Sequence, residues 1–302
     1  MQLVAYGAQD IYLTGNPQIT FFKIVYRRHT NFAMEAIEQV FSGGVDFGKK
    51  TSCTIARNGD LVGRMYLEAD ITHDLGGDGL QFYHHFGHKM IDFVEIEIGG
   101  QTIDKQYGQW MDIWSELSSS TEKFTKLSRM IINRYQQHDF LPVTYPQNNN
   151  SNELEKNIKL YVPLQFWFNT NPGLALPLIS LQYHEVKLNL KLHSWNSLLD
   201  ITLSGGSPPK PTISNFCLFC DYIFLDTDER RRFAQVSHEY LIHQIQYNGN
   251  TSVHGDITDI NIPLRFNHPV KEIIWVVQNK KKRFSNQDPR VASYKCLSKL
   301  GR

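Results

Sequence analysis

Residues 159–192, Lys159-LYVPLQFWFNTNPGLALPLISLQYHEVKLNLK-Leu192, decide how the chain folds. Leu160, Val162, Leu164, Phe166 and Phe168 share one parity at its start. At its end His184, Val186, Leu188, Leu190 and Leu192 share one parity, against Glu185, Lys187, Asn189 and Lys191 on the other. Such alternation marks half-buried β-strands, because successive side chains leave opposite faces of the pleat. Between the two strands stand the turn cluster Asn169–Gly173 and an apolar run, Leu174 to Leu181, broken by Pro177. A proline has no N–H to give a ladder. The run therefore reads as a buried segment crossing between two sheets.

The same logic extends outward. Strand patterns are read at Thr20–Tyr26 and Phe32–Phe41, the second stopped by Ser42-Gly-Gly44. Lys50–Arg57 and Leu61–Ile71 flank Asn58-Gly59-Asp60, a hairpin signal. In the second arm Leu61, Met65, Leu67, Ala69 and Ile71 oppose Arg64, Glu68 and Asp70. Phe93–Ile98 and Gln101–Lys105 make another hairpin about Gly99-Gly100. Tyr107, Trp110, Trp114 and Leu117 recur at helical spacing. A second helix is expected from about Thr121, with Ser119 and Glu122 as a capping box and Phe124, Leu127, Ile131 and Tyr135 as its stripe. Asp74–Gly79, Gln147–Asn157 and Ser204–Pro211 read as loops. Asn215–Leu225 is apolar on both parities, as in a strand covered on both faces. Asp226–Arg232 reads as a charged connector, and further strands are expected at Ile257–Phe266 and Val270–Gln278. Many short strands with two short helices predict an all-β sandwich or barrel.

Composition narrows the function. A chain of 302 residues, 12% aromatic and 20% charged, folds around a real core. From Lys280 onward stand eight Lys/Arg and one acid, Asp288, a charge of +7; with +1 for the whole chain, the rest carries −6. A body of that sign has no general attraction for nucleic acid. No apolar run reaches the roughly 18 residues of a membrane helix. Cys53, Cys217, Cys220 and Cys296, without a secretory leader, point to a reducing compartment.

The chain resembles the major capsid proteins of nucleocytoplasmic large DNA viruses. The resemblance rests on Gln2–Ala33 (QLVAYGAQDIYLTGNPQITFFKIVYRRHTNFA), Arg57–Leu61 (RNGDL), the FWF strand end with Asn171–Val186 (NPGLALPLISLQYHEV), and Asp221–Ile242 (DYIFLDTDERRRFAQVSHEYLI). It implies two jelly-roll β-sandwiches in tandem. Three chains would form a pseudo-hexagonal capsomer tiling an icosahedral shell, commonly over an internal membrane that the chain adjoins without spanning. The partners implied are further copies of the chain, neighbouring capsomers and minor capsid proteins, with no direct nucleic acid. The location implied is the virion capsid, assembled in the host cytoplasm. The family offers no catalytic residues to carry over.

On that frame residues 1–19 are an N-terminal arm and 20–225 a complete first roll. Residues 226–250 are a linker, 251–279 the start of a second roll, and 280–302 a basic tail unlike the family's continuation. Only 56 residues follow Gln246, fewer than the roughly eight strands of a roll require. The second roll is expected to be cut short, leaving uncovered apolar edges and no stable trimer of this chain alone.

Individual sites are weighed against plainer readings. His84, His85 and His88, with His73 and Asp92 nearby, could suggest a metal site, but a catalytic one needs three convergent ligands. Adjacent residues in a strand face opposite ways, so a polar loop packed with aromatics is expected, with no metal. Cys217 and Cys220 have CxxC spacing, yet an offset of three in a strand sends them to opposite faces. They read as buried structural thiols. Asp226, Asp228 and Glu229 beside Arg230–Arg232 read as a solvated linker with local ion pairs. Lys280–Arg283 is a basic patch, and Asn149 and Asn250 head glycosylation sequons. No catalytic residue and no cofactor is expected. The leading reading is a structural protein and not an enzyme. The alternatives are a single-roll minor capsid or glycan-binding module and, behind it, a cupin-like metalloenzyme.

Overall fold

The computed structural model describes residues 30–72, 80–82, 85–131, 157–201, 210–252 and 259–277. In chain order the elements are β1 (Phe32–Val40), β2 (Lys50–Thr54), β3 (Leu61–Thr72), β4 (Leu80–Phe82), α1 (Phe86–Lys89), β5 (Ile91–Ile98), β6 (Gln101–Tyr107), α2 (Gly108–Ser118) and α3 (Thr121–Met130). There follow β7 (Asn157–Pro163), α4 (Trp167–Thr170), β8 (Leu176–Pro177), β9 (Val186–Leu192), β10 (Leu199–Ile201), β11 (Thr212–Leu225) and α5 (Thr227–Gln235).

Four antiparallel pairs are nested one inside the next: β5 with β6, β3 with β7, β2 with β9, and β1 with β11. The arrangement is one long hairpin whose tip is the β5–β6 turn. Gly99 (φ 58°) and Gly100 (φ 84°) supply the left-handed backbone that a two-residue turn requires there. The long hairpin is then rolled, so that β11 also pairs with β3 and β9 with β5. The outcome is two facing sheets, ordered β1-β11-β3-β7 and β2-β9-β5-β6. This is a jelly roll, as expected.

The core lies between the sheets. Leu67, Ala69 and Ile71 from β3, Leu160 and Val162 from β7, and Leu218, Cys220 and Tyr222 from β11 meet Val94, Ile96, Leu188, Leu190 and Leu192 from the opposite sheet. Each large apolar side chain buried there contributes about 1.5–3 kcal/mol. The alternation read in β3 and β9 is thus the inside–outside pattern of a sandwich.

Several local expectations are corrected. Asn58-Gly59-Asp60 is not a hairpin, because β2 pairs in one sheet and β3 in the other. Gly59 has no positive φ, and Asp60 N donates to Ile223 O (3.1 Å). The turn is a crossover between sheets. The strand read through Phe168 stops at Pro163. Beyond it Asn169 organises a helical turn: its Oδ1 accepts from Phe166 N (3.0 Å) and its Nδ2 donates to Gly63 O (2.8 Å). Leu164, Phe166 and Phe168 are nevertheless buried, with the two Phe rings stacked. His184 is exposed and lies outside β9. Asn189, read as outward, is buried because its amide bonds Glu95 (3.2 Å) and Glu97 (3.0 Å) on the next strand. The crossing segment behaves as read: after a brief pairing of β8 with β3, the chain passes to β9 in the other sheet.

There are also more helices than the two expected. α2 buries Gly108, Met111, Asp112 and Ser115, while Trp110 and Trp114 are half-buried and Leu117 is exposed. Ser120, not Ser119, caps α3, and no capping box forms. The charged connector is α5, with Asp226 accepting from Thr227 N (2.7 Å) at its start. Asp228 and Glu229 in its first turn and Arg232 in its last complement the helix dipole. Residues 236–252 and 259–276 contain no strand. Among the described residues the apolar pattern there forms no ladder. The N-terminal arm, Thr20–Tyr26, His73, His84, Tyr135, Asn149, Cys296, the loops at 74–79, 147–156 and 204–209, and the basic tail 280–302 lie outside the described residues.

Candidate functional site

The two sheets present different outer faces. On the β3–β7–β11 side Tyr66 stacks on Phe219 (centroids 5.2 Å apart), with Tyr161 6.4 Å from Tyr66. Phe32, Met34 and Val40 of β1 are exposed nearby. β1 ends the sheet order among the described residues, and an exposed apolar edge is a template for further pairing. The opposite face is laced with charge. Lys50 and Lys105 reach Glu95 (2.9 and 3.8 Å), Lys191 reaches Asp92 (2.8 Å), and Lys105 sits 3.8 Å from the Phe93 ring centroid. Both outer faces carry ion pairs, since Lys159 reaches Glu68 (2.6 Å) beside Tyr66 and Tyr161, but the aromatic stack lies on the first.

A second surface follows α5. Residues 244–247 run along the outer edge of β6. There Asp104 Oδ1 accepts from Ile245 N (3.0 Å), Gln244 donates to Ile103 O, and Tyr247 rests on Tyr107 (5.1 Å). Burial pushes the Asp104 carboxyl above its usual range. Asn248 Nδ2 donates to Pro263 O (3.0 Å) and Gln246 Oε1 accepts from Asn267 N (2.9 Å), so 259–277 is tied to this strap rather than to the roll. Ile260, Ile262, Leu264, Val270, Ile273, Trp275 and Val277 stand exposed along it.

The histidines come together differently from either sequence reading. His85 adopts a left-handed conformation (φ 50°) just before α1, which carries His88. Both are buried, and His85 Nδ1 is hydrogen-bonded to Asp112 Oδ1 of α2. His88 Nδ1 lies 3.9 Å from the same oxygen, too far for a hydrogen bond. Glu116, one turn beyond Asp112, brings a third group: ligand atoms of His85, Asp112 and Glu116 all lie within 4.8 Å of one another. Burial pushes Asp112 up, but the bond from His85 and the nearness of His88 outweigh it and hold the carboxyl well below its usual range. Burial lowers His88 and raises Glu116. Asp92 is elsewhere, paired with Lys191 and facing His193. His85 and His88 are thus buried, with the ring of Phe124 5.4 Å from His85. Asp112 and Glu116 were missed because α2 was read by its tryptophans; the i, i+4 carboxylates were visible but far from the histidines in sequence.

Cys217 and Cys220 leave opposite faces of β11, Cys217 opposite Val40 and Cys220 in the core, and both are buried. Burial pushes the Cys53 and Cys217 thiols up to about 11, so neither is a ready nucleophile. Asn250 is exposed.

Comparison with known proteins fits this architecture. Residues 20–226 match the family described as "Major capsid protein N-terminus", and residues 229–299 match "Large eukaryotic DNA virus major capsid protein". The second match runs into 280–299, where the sequence alone showed no family likeness. The chain is 51% identical over 276 residues to the major capsid protein of Pyramimonas orientalis virus, covering 91% of this chain and 64% of that one. It is 49% identical over 302 residues to that of Phaeocystis pouchetii virus, covering 92% and 58%. The quasi-atomic structure of the PBCV-1 virus capsid superposes with a TM-score of 0.70 at 41% identity, over 86% of this chain and 59% of that one. The chain thus spans about three fifths of the length of these relatives. Nested strand pairs, the sheet order and identity of this extent lead to one assignment: the chain belongs to the major capsid protein family of large eukaryotic DNA viruses.

Proposed function

We propose that the chain is a structural component of an icosahedral virus shell and acts by presenting surfaces for assembly, with no catalytic step. The observation that carries this reading is the well-packed roll with Phe32, Met34 and Val40 exposed on β1, which ends its sheet among the described residues. The roll supplies rigidity, and that edge supplies area that another polypeptide can bury. Its partners are other copies of the chain, grouped by threes into capsomers, together with neighbouring capsomers and minor capsid proteins. Residues 20–225 are the first roll, 226–250 the link, and 251–279 the beginning of a second. Assembly takes place in the host cytoplasm, above an internal membrane that the chain does not enter.

Sedimentation velocity on the full 302-residue chain tests the surface. The chain should associate with rising concentration, and Phe32→Asp with Met34→Asp should reduce that association. A wild-type chain that remains monomeric at every concentration would remove the proposed role of the β1 edge. A single-roll glycan-binding role has one observation in its favour, the Tyr66–Phe219 stack on an outer face; glycan-array binding lost in Tyr66→Ala would support it.

A further inference from the structure

We propose that His85, His88, Asp112 and Glu116 form a structural site for one zinc ion, stapling α1 to α2. The donor set is two imidazoles and two carboxylates, which suits a borderline divalent ion in tetrahedral coordination. In such a site neighbouring ligand atoms stand about 3.4 Å apart, from metal–ligand bonds of about 2.0–2.2 Å. Three of the groups already place their ligand atoms within 4.8 Å of one another, and His88 Nδ1 lies 3.9 Å from Asp112. His88 lies outside that group of three, so it joins the tetrahedron as its ring turns toward Asp112. His85 and Asp112 are closer than two ligands would be, since a hydrogen bond now joins them. An ion taking the Nδ1 position releases that proton to solvent and draws the two groups apart.

The second observation is independent of the cluster's spacing. His88 is fully buried, and neither ring nitrogen has a hydrogen-bond partner among the described residues. A buried imidazole without a partner is unfavourable, and a metal bond from Nδ1 satisfies one of its two nitrogens. Nor does the backbone allow His88 to move far. Gly87 abuts Val162 and Ile131, and Gly108 abuts the carbonyls of His88 and Ile91, so that α1, β5 and the start of α2 are held together. The ring of Phe124 from α3 lies against His85 (5.4 Å) and closes that side. Such a site would add a metal bond between the connection entering β5 and the helices that follow β6, which the Phe93–Tyr107 end of the β5–β6 ladder already brings close.

The site is independent of the shell role and is tested by metal alone. Untagged full-length chain, dialysed against chelator, is titrated with ZnCl2 by calorimetry and with CoCl2 by visible absorption. One zinc per chain, proton release on binding and a tetrahedral cobalt spectrum are expected. Glu116→Gln, at an exposed position, should weaken affinity about tenfold or more, and Asp112→Asn further. Glu122→Gln on α3 should leave it unchanged. If Asp112→Asn fails to fold, Glu116→Gln and the cobalt spectrum of the unaltered chain still decide. Absence of saturable binding, or equal affinity in Glu116→Gln and Glu122→Gln, would overturn the site.

Discussion

Asp60 and Arg230 are joined across 170 positions of sequence: Arg230 Nε donates to Asp60 Oδ1 at 2.7 Å. Asp60 is the last residue of the crossover between the sheets, and Arg230 stands on α5. The second oxygen of Asp60 accepts from Leu225 N at 2.8 Å, where β11 ends. One buried carboxylate thus fixes the place at which the chain leaves the roll. Ser180 adds a bond to Phe233 O (2.7 Å).

Removing the two partners should not be equivalent. Asp60→Ala leaves the half-buried Leu225 N–H without that acceptor and should cost about 2–3 kcal/mol in urea melts. Arg230 is largely exposed, so Arg230→Ala should cost about 1 kcal/mol or less. Equal costs would show that the ion pair, not the backbone bond, is what the carboxylate serves.

The core makes a sharper demand. Phe166→Ala should cost roughly 3–5 kcal/mol, as large truncations at filled sites do. Tyr183→Ala, at a side chain 93% exposed, should change stability by less than about 0.5 kcal/mol. A loss below about 1 kcal/mol at Phe166 would show that its burial is misassigned.

Two glycines should respond for different reasons. A Cβ at Gly108 would overlap the carbonyl oxygens of His88 and Ile91, so Gly108→Ala should cost about 3 kcal/mol or prevent folding. Gly100→Ala meets no atom, only the strain of φ 84°, and should cost about 1–2 kcal/mol. Thermal melts rank the two.

Limited proteolysis should follow the tethers. Residues 226–247 are held by Asp60, Ser180 and Asp104, so cleavage is expected beyond Asn248 rather than between α5 and the roll. A first cut within 226–240 would contradict those contacts.

What could be read in advance follows from where the information lies. Period-2 alternation in β3 and β9 is local, and one wet face made it visible. The resemblance then chose the jelly roll among sandwiches, which periodicity could not do. The Asn58-Gly59-Asp60 turn misled because a Gly-containing corner looks alike whether its arms pair together or in separate sheets. α2 misled because its small, partly polar buried side, Gly108 to Ser115, is less apolar than its tryptophan side. The histidine cluster was illegible for a third reason: it needs a left-handed His85 and a carboxylate 27 residues away. At 259–277 an apolar alternation was read as strand, but a strand forms only where a partner supplies the ladder, and none does so among the described residues.

The central claim is that this chain is built into a shell, against other capsid polypeptides. Cross-linking mass spectrometry on purified particles of the virus encoding it tests that claim most directly. The expected result is abundant peptides from the roll and from 259–277, with Lys271 cross-linked to another capsid polypeptide. Particles that lack these peptides, or a Lys271 that remains solvent-reactive and uncross-linked within them, would contradict it.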